Sequence, residues 1–369
     1  MKYFLLAGEA SGDLHGSNLV KELKNIDPTG EFIGWGGDLM QKAGMTLLKH
    51  ISELSFMGFT EVLLNIRTIK KNFKTCHNQL LEYRPDVLIL IDFPGFNLRI
   101  AKFAFTHGIK VHYYISPTVW AWHRSRVYTV RDYIHKMFVI LPFEKAFYAK
   151  YNVDVEYEGH PLLDAVDSFR QSTQNNLENP RPYIVLMPGS RKQEISAMLP
   201  IMIEAANKLG NDYDYLLAAA PTIDREYLES FIPKGKVKIV YNNTYGVLSG
   251  AIAGMVTSGT ATLEAALFKV PQVVCYKTSP FSFYIARMLV SVKYISLANL
   301  ILDRPLLKEL IQNDLKTEVL VQEMKKVLPG GENVNTLKEG YQELDALLGG
   351  PGTSQRVAQK IYTELCEKV

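Results

Sequence analysis

Val87-Leu88-Ile89-Leu90-Ile91-Asp92-Phe93-Pro94-Gly95-Phe96-Asn97 is the stretch that decides the fold. Its first five residues are all aliphatic, the pattern of a short strand buried on both faces rather than one. An acid and a Pro-Gly turn end it. A helix-period run at Leu98–His107 follows, and then a further apolar run at Val111–Ile115. Strand, helix and strand in that order form a parallel βαβ unit, and right-handed crossovers build such units into a doubly wound sheet.

The same alternation extends outward. Tyr3–Ala7 reads as a strand with a helix starting near Asp13, and Lys136–Ile140 as another strand. The pattern pauses between Asp167 and Pro182, where the polar run Gln171-Ser172-Thr173-Gln174-Asn175-Asn176 precedes Pro180 and Pro182, the signature of a linker. A second series of strands follows at Tyr183–Met187, Tyr215–Ala219, Val237–Val240, Met255–Val256 and Gln272–Tyr276. The expectation is α/β throughout, with two Rossmann-like doubly wound domains at residues 1–168 and 182–350 and a ligand cleft between them. From about Asn299 the chain reads as mostly helical. The stretch Leu348-Gly349-Gly350-Pro351-Gly352 breaks it, and a last helix at Ser354–Glu367, within 353–369, is expected to pack back on the first domain. No internal repeat is visible.

Composition narrows the function classes. The 369 residues are 47% hydrophobic and 21% charged, enough for two cored domains. A net charge of +3 gives no general argument for nucleic acid. The three cysteines, Cys76, Cys275 and Cys366, form no CxxC pair, so neither a disulfide framework nor a zinc site is expected, and a reducing compartment fits. The opening apolar run is too short for a signal peptide, and no run of about 20 apolar residues predicts a spanning helix.

Five loops after strands carry candidate chemistry. Gly8-Glu9-Ala10-Ser11-Gly12-Asp13 opens a helix, where glycines permit close backbone approach and a helix N-terminus favours an anion. It matches neither GxGxxG nor GxxxxGK[ST], which weakens the case for a dehydrogenase or a P-loop enzyme. Asp92 ends its strand where catalytic groups of this architecture sit, and reads as a general base or as an N-cap or turn acid. Ser116-Pro117-Thr118-Val119-Trp120-Ala121-Trp122-His123 places two tryptophans in a loop, to line a sugar or acyl site or to hold the loop itself. In Pro188-Gly189-Ser190-Arg191 the arginine can grip phosphate oxygens or form a surface ion pair. In Ser258-Gly259-Thr260-Ala261-Thr262-Leu263-Glu264 a helix beginning near Thr260 can bind pyrophosphate, with Glu264 on a ribose, or is an ordinary capped helix. Arg191 and this loop in one domain favour a nucleotide-diphosphate site.

These motifs, with Met57-Gly58-Phe59-Thr60-Glu61-Val62, Leu141-Pro142-Phe143-Glu144 and Gly159-His160-Pro161, resemble the lipid-A-disaccharide synthases of glycosyltransferase family 19 from residue 1 to about 315. The resemblance implies a GT-B fold and an inverting transfer of 2,3-diacylglucosamine from its UDP form to 2,3-diacylglucosamine 1-phosphate. The products would be a β-1,6 tetraacyl disaccharide 1-phosphate and UDP, with no metal and no cofactor. It makes Asp92 the base. Arg191, Ser258, Gly259, Thr260 and Glu264 fall on the UDP side, with Asn299 and Glu309 in the donor segment and Glu9, Ser11, Gly12 and Asn97 as further substrate contacts. It also points to a homodimer working peripherally on the cytoplasmic face of the inner membrane, with no nucleic-acid partner. Two positions depart from the family pattern. Gly95 stands where many members carry an acid, so a role for that second carboxylate does not transfer, and His15 replaces a small or hydroxyl residue.

Lipid substrates require a membrane contact. Phe56–Lys74 is apolar and then basic, so Phe59, Leu63, Leu64 and Ile66 are expected to face lipid, unless the segment is a core helix. Two rivals remain at this level. A UDP-sugar 2-epimerase would use the same nucleotide loops without a lipid acceptor, and a non-enzymatic binding module would hold UDP without turnover.

Overall fold

In the computed structural model the chain divides into two compact units, Met1–Asp164 with Gly350–Val369, and Ala165–Gly349. The structure describes residues 1–54, 66–172, 177, 179, 181–221, 223–232, 236–280, 283–284, 287 and 292–367.

The first unit begins with β1 (Lys2–Ala7), α1 (Ala10–Ile26), β2 (Glu31–Gly36), α2 (Asp38–Lys42), β3 (Thr46–His50) and α3 (Ile66–Tyr83). It continues with β4 (Val87–Ile91), α4 (Pro94–Thr106), β5 (Lys110–Tyr114), α5 (Arg126–Tyr133), β6 (Lys136–Val139), α6 (Pro142–Ala149) and β7 (Glu156–Tyr157). Seven parallel strands lie in the order β3-β2-β1-β4-β5-β6-β7. Side chains alternate across a strand, and here both faces are buried. Phe4, Leu6, Leu88 and Leu90 join a core with residues of α3, α4, α5 and α6, whereas Tyr3, Leu5, Val87 and Ile89 join a second core with α1 and α2.

Helix α7 (Leu162–Gln171) leads from the first unit into the second. There follow β8 (Tyr183–Met187), α8 (Lys192–Leu209), β9 (Asp214–Ala219), α9 (Arg225–Glu229), β10 (Val237–Tyr241), α10 (Thr244–Gly250), β11 (Ala253–Thr257), α11 (Thr260–Leu267) and β12 (Gln272–Tyr276). Then come α12 (Leu297–Leu302), β13 (Lys308–Ile311), α13 (Thr317–Val327) and α14 (Val334–Leu348). The strand order is β10-β9-β8-β11-β12-β13, again parallel. The chain returns to the first unit as α15 (Thr353–Cys366), whose Val357, Ala358, Ile361 and Leu365 pack with Leu19, Val20 and Leu23 of α1.

Several sequence expectations need correction. The region after Asn299 is not mostly helical throughout, because Lys308–Ile311 forms edge strand β13. Its two charged residues, Lys308 and Glu309, followed by two apolar ones, Leu310 and Ile311, are the mixed composition of a half-exposed edge rather than a buried strand. For the same reason the edge strands β3 and β7 carry no long aliphatic run, whereas the interior strand β2 lacks one because two of its positions are glycine, Gly34 and Gly36. Helix α4 starts at Pro94, not Leu98, since proline is favoured at the first helical position. Helix α1 starts at Ala10. The linker proposed from Asp167 is helical as far as Gln171.

Candidate active site

In an open parallel sheet the ligand crevice lies beyond the strand ends where the strand order reverses. In the first unit that point falls between β1 and β4, whose last residues Ala7 and Ile91 are paired. The loops beginning at Gly8 and Asp92 therefore emerge side by side. In the second unit the reversal falls between β8 and β11, so the loops at Pro188 and Ser258 are the equivalent pair.

The β4 loop is built on strain. Asp92 and Phe93 both adopt left-handed backbone, with φ of 46° and 50°, a conformation costly for residues with side chains. Its geometry is held from below. The Asn97 amide donates to the carbonyls of Asp92 at 2.7 Å, Ile91 at 3.2 Å and Leu6 at 3.4 Å. The Tyr113 hydroxyl donates to the Asp92 carbonyl at 2.5 Å, and the Asp92 N–H donates to Tyr114 O at 3.1 Å. The bend lays the Phe93 ring against Gly8, where an added Cβ would lie 2.3 Å from the ring, so only glycine fits. Gly12 likewise lets α1 approach Ala7 and Ile91. Asp92 is half-buried, and burial pushes its carboxyl up to about 6, helped by the negative charge of Glu9. A base poised near neutrality at a strand end is the arrangement general-base catalysis uses.

Glu9 caps α1 without a side-chain hydrogen bond, and Ser11 lies exposed in its first turn. Asp13 is buried and accepts from the amides of Gly37, Leu39 and Met40 at 2.8–3.1 Å, fixing the start of α2. Asn97 is fully buried, with its amide nitrogen occupied by backbone, so the structure places it under the loop.

In the second unit, Arg191 is 60% exposed and paired with Glu194 at 3.0 Å, which also accepts from the Ser190 amide at 3.3 Å. Gly259, at φ 127°, caps α11 with open space before it. The amides of Gly259, Thr260 and Ala261 have no acceptor among the described residues. Free N–H groups at a helix start form an anion site. Glu264 is half-buried, its carboxyl raised above the ordinary range by desolvation, and it accepts from Tyr245 Oη at 3.2 Å. Asn299 and Glu309 lie together. Glu309 Oε1 accepts from the Ser296 amide and hydroxyl, at 2.9 and 2.7 Å, and from Asn299 Nδ2 at 2.9 Å. The same segment is tied to Ser258, whose hydroxyl donates to Ile295 O at 2.7 Å. The pair thus shapes the segment beside the α11 amides. Tyr113 and Tyr245, which brace Asp92 and Glu264, carry no local motif; only the three-dimensional pairing reveals them.

Phe59, Leu63 and Leu64 lie outside the described residues, as does the side chain of Ile66. Further along α3, Arg67, Lys70, Lys71 and Lys74 are exposed at a spacing that puts them on one helix face. Among the described residues no helix is long and apolar enough to cross a membrane.

A family model described as lipid-A-disaccharide synthetase matches residues 3–358. The lipid-A-disaccharide synthase of Syntrophus aciditrophicus is 38% identical, over 97% of this chain and 96% of its own length. That of Geobacter sulfurreducens is 36% identical, over 100% and 98%. Among solved structures, UDP-GlcNAc 2-epimerase from Neisseria meningitidis bound to UDP-GlcNAc matches with a TM-score of 0.70 at 11% identity, covering 98% of this chain and 100% of that one. The calicheamicin glycosyltransferase matches at 0.62 and 14%, covering 99% and 98%. At such identities the structural likeness shows the fold alone, two parallel-sheet α/β domains of the GT-B class.

Proposed function

The chain belongs to the lipid-A-disaccharide synthase family, and from that premise we propose how its residues carry out the transfer. The enzyme is a glycosyltransferase of lipid A biosynthesis, moving 2,3-diacylglucosamine from UDP to the 6-hydroxyl of 2,3-diacylglucosamine 1-phosphate. Asp92 takes the proton from that hydroxyl as its oxygen attacks the anomeric carbon. The bond from that carbon to the diphosphate breaks, and UDP leaves with the electron pair, its charge met by Arg191 and the amides of Gly259, Thr260 and Ala261. Attack opposite the leaving group inverts the anomeric centre. Positioning and electrostatics supply the acceleration.

The observation that carries the base assignment is the Asp92 carboxyl, raised to about 6 on a loop that Asn97 and Tyr113 hold at the sheet's reversal point. Gly8, Gly12, Asn97, Asn299 and Glu309 act by shaping the two loops, Glu9 by its charge beside Asp92, and Ser11 and Glu264 by contact with substrate. Purified protein incubated with the UDP-linked donor and the monosaccharide 1-phosphate should yield the disaccharide by mass spectrometry. UDP-GlcNAc epimerised without any lipid acceptor would instead favour the epimerase reading. For the membrane, the basic face of α3 supports docking on an anionic surface, at about 1 kcal/mol per basic residue. Peripheral attachment to the cytoplasmic leaflet and a homodimer complete the proposal.

A further inference from the structure

The segment after β5 carries a cationic and aromatic surface that neither the base nor the diphosphate site uses. Trp122 is 38% and Tyr128 49% exposed. The Arg126 guanidinium lies over the Trp122 ring at 5.4 Å, and the His123 ring sits 4.5 Å from the same indole. Thr118 fixes the indole by accepting from its Nε1 at 3.3 Å. Arg131 is paired with Asp132 at 2.9 Å, but among the described residues no carboxylate pairs with Arg124 or Arg126. His123 is left-handed, with φ of 53°. The carbonyls of His123, Arg124 and Ser125 accept from Arg126, Val127 and Tyr128, whereas their own amides have no acceptor among the described residues. Two unpaired guanidinium groups, three unclaimed N–H groups and an exposed indole in one short segment are the equipment for binding a phosphate carried on a sugar.

Its place in the fold relates it to Asp92. Strands β4 and β5 are neighbours, and adjacent strands lie roughly 4.8 Å apart. Tyr113, on β5, braces the Asp92 carbonyl and also feels the positive charge of Arg126. A pyranose carries its primary hydroxyl, through C6, on C5 and its anomeric phosphate on C1, the two carbons that flank the ring oxygen, so the two groups leave one edge of the ring as separate arms. It can therefore present the first to the β4 loop while the second reaches the β5 loop.

We propose that Arg124 and Arg126, with Trp122 as a platform for the ring, bind the anomeric phosphate of the acceptor and so aim its 6-hydroxyl at Asp92. The proposal rests on the reading of the acceptor as a sugar 1-phosphate. Anchoring that phosphate selects which hydroxyl meets the base, so the segment sets acceptor specificity and regiochemistry. A phospholipid headgroup offers the same phosphate chemistry, and the experiment separates the two sources.

Acceptor kinetics are measured in neutral detergent micelles with 2,3-diacylglucosamine 1-phosphate and with the same sugar lacking the phosphate. Wild type should prefer the phosphorylated acceptor by about tenfold to a hundredfold, the scale of charge-assisted hydrogen bonds. In the double variant Arg124→Ala/Arg126→Ala that preference should collapse toward one, mainly through KM, with UDP binding unchanged. Arg124→Lys/Arg126→Lys should restore part of it, and Arg131→Ala should behave as wild type. An undiminished preference in the double variant, or equal losses on both acceptors, overturns the proposal. So does a defect confined to phosphatidylglycerol vesicles, which would assign the arginines to lipid headgroups. A wild type that makes disaccharide without preferring the phosphate also overturns it while leaving the transferase reading intact. A wild type that makes no disaccharide from either acceptor sinks the transferase reading itself, before any variant is compared.

Discussion

Asp92 is an acid kept where an acid is uncomfortable: burial and the Glu9 charge raise it from 3.8 to about 6. The sign of the linkage follows. Between pH 3.8 and about 6 the folded chain holds a proton the unfolded chain has released, so stability falls as pH rises through that window. Catalysis runs the other way, because the base works only when ionised. The acid limb of kcat/KM should therefore bend near pH 6, and Asp92→Asn should remove turnover by roughly 10²–10⁴-fold while leaving the melting temperature at pH 8 unchanged or higher. A variant with near-normal rate would remove Asp92 from the mechanism. Glu144 tests a different balance. It is buried and pushed up to about 7 by that burial, yet it accepts from the Leu141 and Ile140 amides at 2.9 and 3.1 Å. Glu144→Ala orphans both and should cost about 1–3 kcal/mol in urea denaturation, whereas Glu144→Gln, which keeps an acceptor oxygen, should cost clearly less. Equal losses would show that hydrogen bonding is not its role.

At the scale of elements, the Asp164 carboxylate caps α15, accepting from Gly352 at 2.6 Å, Thr353 at 3.0 Å and Ser354 at 2.8 Å. A cap 188 residues away in sequence holds the returning helix where a local Ser or Asp would usually do so. Asp164→Ala should cost about 1–2 kcal/mol, read as a lower melting temperature that Asp164→Asn partly restores; no shift would mean the helix is held by its apolar face alone. Such a cap cannot be read from sequence, because capping rules are local and this partner is not. The central strands, by contrast, were legible: β1, β4, β5, β8, β9 and β12 are made mainly of aliphatic and aromatic residues, since both their faces are buried. The edge strands β3 and β13 escape the same reading because one side meets water and their residues are mixed. The site divides the same way. Asp92, Arg191 and the α11 loop announce themselves by position after a strand. Asn97, Asn299 and Glu309 were expected on the substrate side from the family resemblance, and their hydrogen bonds go largely to backbone and to one another.

At the scale of the whole chain, the first unit is discontinuous: it needs residues 350–369 as well as 1–164. Four apolar residues of α15, Val357, Ala358, Ile361 and Leu365, lie in its core. Burying a large aliphatic side chain is worth about 1.5–3 kcal/mol, so losing the helix removes several kcal/mol from a unit whose total stability is on the order of 5–15 kcal/mol. The second unit, Ala165–Gly349, contains none of that helix and holds the whole proposed UDP site. A chain ending at Gly349 should therefore lose the first unit's cooperative melting and all transfer. It should still be stabilised by UDP, by about 2.7 kcal/mol at a hundredfold excess over Kd. Calorimetry with and without UDP reads both outcomes. Transfer surviving the truncation would show that α15 is dispensable to the base-bearing unit. Loss of the UDP response, in a chain whose second unit still melts cooperatively, would show that the nucleotide site needs more than Arg191 and the α11 amides.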